Sequence, residues 1–239
     1  MTVFSRSERL VVVGHRGGRG ESWPRENTFA AFERAVREGA DAIELDVRLC
    51  ATGEVVVFHD PDLKRTSDGA DLREVQHVPY LELATHWETP VLRDVLAFCN
   101  DRRVGLNVEI KYDAVDRARL VRRVIALLDE FPSLDVVVSS FDPRILAHAR
   151  TLTDGVRLAM LTTTERKWSL PLARVLAAWR RLFAVHLERA HARERVVRAI
   201  AARGVHVGVW TVNEPAEARA LRSFGADWVI TDRPGAIRF

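Results

Sequence analysis

Eight apolar, strand-like segments alternating with helix-like ones predict an α/β fold, a TIM (β/α)8 barrel built as a single domain over residues 1–239. Two further observations support it. Residues able to do chemistry collect where the strand-like segments end, which is where such barrels carry their sites. No linker or shift of composition divides the chain. A doubly wound open sheet is the competing arrangement, but it rarely needs eight parallel strands without a glycine-rich nucleotide turn. Gly17-Gly18-Arg19-Gly20 lacks the spacing of such a turn and reads as a flexible loop.

The elements follow in order. Residues 10–13 form a short apolar strand ended by Gly14, and Phe29, Phe32, Ala35 and Val36 recur at helical spacing within 27–38 until Gly39 stops the helix. Asn27 and Thr28 stand at its start, where they would cap its amides. The second strand spans 42–49. A turn at Thr52-Gly53 leads to an apolar extension at 55–58, and a mostly polar insertion over 63–89 precedes a helix at 91–98. Strands at 106–110, 136–140, 158–161, 184–187, 205–212 and 228–231 alternate with helices at 115–130, 145–152, 170–182, 193–202 and 215–224. Only residues 233–239 follow the last strand, so the final helix is truncated.

Parity along the strands gathers the charges. In the second strand Ile43, Leu45 and Val47 alternate with Glu44 and Asp46, so both carboxylates share one face. Like charges that close repel, and burying them is costly, so the pattern asks for a cation or a shared proton. The extension then delivers His59 and Asp60 where Pro61 ends the strand. In the next barrel strand Asn107, Glu109 and Lys111 share a face opposite Val108 and Ile110. Glu44, Asp46 and Glu109 on neighbouring strands make an all-oxygen, strongly negative site suited to Mg²⁺ or Ca²⁺ rather than zinc. The plainer alternatives are a charged edge strand beside a loop histidine, and an ion pair of Glu109 with Lys111 or an arginine.

Gly14-His15-Arg16-Gly17, Glu26-Asn27-Thr28, Glu44-Leu45-Asp46-Val47, Phe58-His59-Asp60 and Val108-Glu109-Ile110-Lys111 together resemble the glycerophosphodiester phosphodiesterase family. Ser139-Ser140-Phe141, Val209-Trp210-Thr211-Val212-Asn213 and Thr231-Asp232-Arg233-Pro234 continue the likeness in order to the end of the chain. The resemblance implies a metal-dependent TIM barrel that hydrolyses glycerophosphodiesters to sn-glycerol 3-phosphate and an alcohol. It implies that His15 and His59 are the acid and base pair, that Glu44, Asp46 and Glu109 hold a divalent metal ion, and that Arg16 and Lys111 contact phosphate. Phe141 and Trp210 would line the mouth of the pocket. Glu26 receives no role. A lysophospholipase D using the same residues is the alternative among enzymes, and a catalytically silent barrel that binds phosphate esters is the alternative outside them.

The chemistry fits those residue types independently. Hydrolysing a phosphodiester requires neutralising charge on phosphorus, activating an oxygen nucleophile and protonating an alkoxide. A divalent ion, Arg16 and Lys111 meet the first need, and imidazoles, with an ordinary pKa of about 6.5, meet the others. Water or a glycerol hydroxyl of the substrate could be the nucleophile, and the assignment of acid and base between the histidines stays open.

Composition narrows the remaining classes. The net charge of +3 is too diffuse to announce a nucleic-acid partner, although 36 residues are basic and only Lys64, Lys111 and Lys167 of these are lysines. Cys50 and Cys99 are too few for a disulfide framework and read as small buried residues. No apolar run approaches membrane-spanning length, so a soluble, cytoplasmic protein with a small-molecule substrate and no membrane insertion is expected. Trp168 and Trp179, with Arg174, Arg180 and Arg181, read as a solvated arginine face over a core-facing stripe, with contact to a membrane or an acidic partner as the alternative. His186 and Glu188 read as a satisfied polar strand end.

Overall fold

Every expected strand forms, and the eight parallel ones close on themselves. In the computed structural model, which describes residues 2–6, 9–179 and 181–237, the strands are β1 (Val11–His15), β2 (Ala42–Leu49), β3 (Val55–Val57), β4 (Gly105–Ile110), β5 (Val136–Ser140), β6 (Arg157–Leu161), β7 (Ala184–Glu188), β8 (His206–Trp210) and β9 (Trp228–Thr231). The sheet runs β1-β9-β8-β7-β6-β5-β4-β2, and the pairing of β1 with β2 shuts the ring. β3 lies outside it, antiparallel to β2. The fold is therefore a TIM barrel with one antiparallel extension.

The helices cover the ring in chain order: α1 (Phe29–Arg37), α2 (Tyr80–Trp87), α3 (Leu92–Arg102), α4 (Arg117–Asp129), α5 (Pro143–Leu152), α6 (Ser169–Ala178), α7 (Glu194–Ala201) and α8 (Pro215–Phe224). Among the described residues a 3-10 turn at Pro234–Ala236 follows β9. Two expectations change. β1 continues through Gly14 to His15, because His15 pairs in register with Glu44 of β2. The insertion is not a mere polar loop, since it holds a 3-10 turn at Val75–His77 and α2. Their few apolar residues, Val75, Val78, Leu83 and Trp87, pack with Cys50, Val56, Phe58 and Leu63 in a small core of their own. So sparse a set gives no helical period to read.

Outward-facing residues of the strands, such as Leu45, Val108 and Val138, pack under the helices. Inward-facing ones fill the barrel. Its lower interior is Val11, Val13, Ala42, Val137, Ala159, Ala184, Trp228 and Ile230, with Phe4 joining them. The Phe4 and Trp228 rings meet edge to face at 5.2 Å, and the Phe4 amide donates to Asp135 at 2.8 Å. Gly208 is required here, because a Cβ at that position would stand 2.1 Å from the Trp228 indole nitrogen.

His186 lies above this plug, fully buried, and its Nε2 accepts from the Trp228 indole at 3.3 Å. Burial pushes its imidazole down to about 3. The unfolded imidazole takes its proton near 6.5, so between these values the unfolded chain holds the extra proton and stability falls as pH falls. By about pH 4 this one group should cost about 3 kcal/mol. Denaturant titrations across that range should show a correspondingly shallower decline for His186→Gln, and parallel curves for the two proteins would contradict the assignment.

Candidate active site

The C-terminal ends of the strands frame one polar cavity of about 520 Å³. His15, Arg16, Glu44, His59, Glu109, Lys111, Phe141 and Trp210 all line it, so eight of the nine residues singled out from the sequence come together. Asp46, the ninth, lies directly behind, fully buried. Strand register explains the convergence. His15 sits beside Glu44, Glu44 beside Asn107, and Asp46 beside Glu109, and inward parity is shared by all of them.

Glu44, Asp46 and Glu109 each offer an oxygen within 4.8 Å of the others. Three buried carboxylates this close need compensation, and two cations supply it. Lys111 Nζ lies 3.2 Å from Asp46 and 2.8 Å from Glu109. The Glu109 contact is an ion pair rather than an aligned hydrogen bond, and Glu109 Oε1 has no hydrogen-bond partner. Arg16 Nε lies 3.2 Å from Asp46, and the Arg16 amide donates to Glu44 at 3.0 Å. Both residues were expected on phosphate; here they face the carboxylates. Asn27, expected only as a helix cap, also donates to Asp46, at 3.0 Å. Its positive φ of 59° turns it inward, while Thr28 does the capping by accepting from the Ala31 amide.

The three acids are not electrostatically equal. Burial would raise Asp46, but Lys111 and Arg16 overcome it and hold the carboxyl far below the usual range. Burial raises Glu44 as well, and the neighbouring Asp46 and Glu109 push it further, well above the ordinary glutamate value, with Arg16 opposing only in part. Lys111 is raised despite burial, because Glu109 and Asp46 stabilise its charge.

Both histidines are anchored by a carboxylate. His15 Nδ1 lies 2.7 Å from Asp232 and His59 Nδ1 lies 2.6 Å from Asp60, which leaves each Nε2 as the nitrogen free to exchange protons. Burial lowers the His15 imidazole against the pull of Asp232, so it stands neutral at neutral pH. The anchors are tied together in turn. Arg65 bonds Asp60 at 2.6 Å and Glu26 at 2.5 Å, and Glu26 accepts from Arg16 at 2.9 Å and lies 3.2 Å from Arg19. Glu26 thus serves as the hub of the arginines. Arg48, on the same strand face as Glu44 and Asp46, holds the His59 carbonyl through Nε and a terminal nitrogen at 3.0 and 2.8 Å.

The first turn is fixed, not flexible. The Gly17 amide donates to Gly14 at 3.1 Å, the Arg19 amide to Asp232 at 2.9 Å, and a Cβ on Gly17 would stand 2.8 Å from the Ala31 backbone. On the far wall Tyr112, Phe141 and Trp210 meet edge to face, at 6.0 and 5.6 Å, and the Arg166 guanidinium lies 3.8 Å over Tyr112. Glu188 reaches the cavity, where it accepts from the Thr164 amide and hydroxyl, whereas His186 belongs to the barrel interior. Among the described residues no helix is long and apolar enough to cross a membrane.

A TIM barrel with an acidic triad compatible with a divalent metal, set beside cations and histidines in one open pocket, is the frame of a hydrolase acting on a small charged ester. Residues 15–236 match the Glycerophosphoryl diester phosphodiesterase family, and the chain belongs to that family of phosphoric diester hydrolases. It is 31% identical over 237 residues to a glycerophosphodiester phosphodiesterase of Bacillus altitudinis, covering 93% of this chain and 94% of the relative. A lysophospholipase D of Homo sapiens is 26% identical over 273 residues, covering 95% and 84%. Among solved structures, an Oleispira antarctica phosphodiesterase in complex with the product sn-glycerol-3-phosphate aligns with a TM-score of 0.82 at 25% identity over 95% of this chain and 94% of that one. A glycerophosphodiester phosphodiesterase of Thermotoga maritima aligns at 0.79 and 29%, over 96% and 97%.

The asymmetry of the triad separates two conservative substitutions. In metal-free protein Glu44→Gln removes a repelled carboxyl and should leave stability unchanged or raise it by about 1 kcal/mol. Asp46→Asn strips Lys111 and Arg16 of their shared partner and should cost about 3 kcal/mol. Chemical denaturation in chelator measures both, and equal effects would refute the distinction.

Proposed function

We propose that the protein hydrolyses glycerophosphodiesters to sn-glycerol 3-phosphate and an alcohol, with Glu44, Asp46 and Glu109 holding a Mg²⁺ or Ca²⁺ ion. The observation that carries this reading is the pair of carboxylate-anchored histidines lining the cavity that also holds the acidic triad. Three buried carboxylates, all oxygen donors within 4.8 Å of one another, suit a hard divalent cation. When bound, the ion supplies positive charge to the phosphate oxygens. Lys111 and Arg16, already beside the carboxylates, then turn part of their charge to the same oxygens. His15 and His59 exchange protons through Nε2, one with the attacking oxygen and one with the departing alcohol. Asp232 and Asp60 keep each ring in the tautomer that this requires.

The relative solved with sn-glycerol-3-phosphate supports the glycerol end as the recognised part. Hydroxyls can be rejected or accepted sharply by polar strand ends, whereas the alcohol meets an open mouth. Removing glycerol hydroxyls should therefore lower kcat/KM by orders of magnitude, and exchanging choline for ethanolamine should change it only modestly. The aromatic wall of Tyr112, Phe141 and Trp210, with the human relative, favours lysolipids as the second substrate class. Much faster cleavage of long-chain lysolipids than of glycerophosphocholine would make that the principal activity.

Chelation should abolish turnover, and Mg²⁺ or Ca²⁺ should restore it; full activity after exhaustive chelation would remove the metal from the mechanism. His15→Ala and His59→Ala should each lower kcat by about 10² to 10⁴ with metal affinity nearly intact. The double variant should be little worse than the poorer single one, because the two act as a unit.

A further inference from the structure

Helix α6 packs Leu170, Leu172 and Leu176 against the core but leaves large apolar side chains on its outer side. Its buried residues are the small Ser169, Ala173 and Ala177, while Val175 and the flanking Trp168 and Trp179 face outward. Trp168 is 46% exposed and Trp179 70%, and burial of such rings is the usual outcome. Trp168, Val175 and Trp179 fall at spacings of seven and four, so they share one face of the helix. Lys167, Arg174 and Arg181 border it, all exposed, and none pairs with a carboxylate among the described residues. From Arg166 to Leu187 the sequence contains no Asp or Glu. The patch also adjoins the active site: Arg166 lines the cavity, and its guanidinium lies 5.9 Å from the Trp168 ring.

We propose that this face docks the enzyme on an anionic lipid surface, beside the pocket mouth. Tryptophan is the side chain best suited to the boundary between headgroups and acyl chains. Unpaired lysine and arginine are drawn to the negative potential of acidic lipids, each adding roughly a factor of five in affinity. Exposed apolar side chains beside exposed, unpaired basic residues fit a lipid surface better than an acidic protein, which would need directional partners for the arginines. The contact is peripheral, because α6 also covers the barrel and cannot leave it.

Cosedimentation of the full chain with phosphatidylcholine vesicles, with and without phosphatidylglycerol, tests this. Binding should require the anionic lipid, weaken as salt rises and shift tryptophan emission to the blue. Trp168→Ser with Trp179→Ser should lower vesicle affinity by about tenfold or more, as should Lys167→Glu with Arg174→Glu. None of the four substituted residues lines the cavity, so hydrolysis of a soluble diester should persist and reports separately on the proposed function. Equal binding to neutral and anionic vesicles, unchanged binding by either double variant, or capture of acidic proteins without vesicle binding would overturn the proposal.

Discussion

Three carboxylates buried within a few ångströms of one another set the terms for the rest of the catalytic end. Without compensation such a cluster would be expelled or protonated. The surrounding residues answer that demand from three directions: Lys111 just past the end of β4, Arg16 from the turn after β1, with its amide on Glu44, and Asn27 from the entry to α1. The turn at residues 14–17 brings Arg16 back over β2, and its Gly17 tolerates no side chain because a Cβ there would meet Ala31. Local backbone, ion pairing and fold are one solution to one electrostatic problem.

The same economy governs the histidines. Neither imidazole is left to set its own orientation, since Asp232 and Asp60 fix the Nδ1 sides. Their anchors are joined through Arg65, Glu26 and the neighbouring arginines. The network of charged groups thus runs from one side of the cavity to the other. Glu26 touches neither the histidines nor the acidic triad in these contacts, but it holds Arg16, which pairs with Asp46, and Arg65, which pairs with the Asp60 anchor of His59.

Much of this was legible in the sequence where a period carries the information. Alternation placed Glu44 with Asp46 and Asn107 with Glu109 and Lys111, and the strand rhythm counted the barrel. What the sequence hid depends on distance along the chain or on a single dihedral. Asp232 meets His15 across the barrel seam from 217 positions away in the numbering, and no periodicity encodes that. Asn27 read as a cap because its residue type suits one; only its positive φ redirects it to Asp46. Arg48 was readable, since it shares the parity of Glu44 and Asp46, but a basic residue at a strand end resembles ordinary surface. The α2 helix escaped because its buried positions are few and its core is separate.

The plug of Phe4 and Trp228 at the other end of the barrel has a bearing on traffic. Apolar side chains fill the lower interior, so the reaction chamber is closed beneath and lies at the catalytic end of the barrel. Substrate, water and both products enter and leave at that end. Turnover in such a chamber depends on exchange of its contents at that one end as well as on bond breaking, and Trp210 stands among the residues that line it.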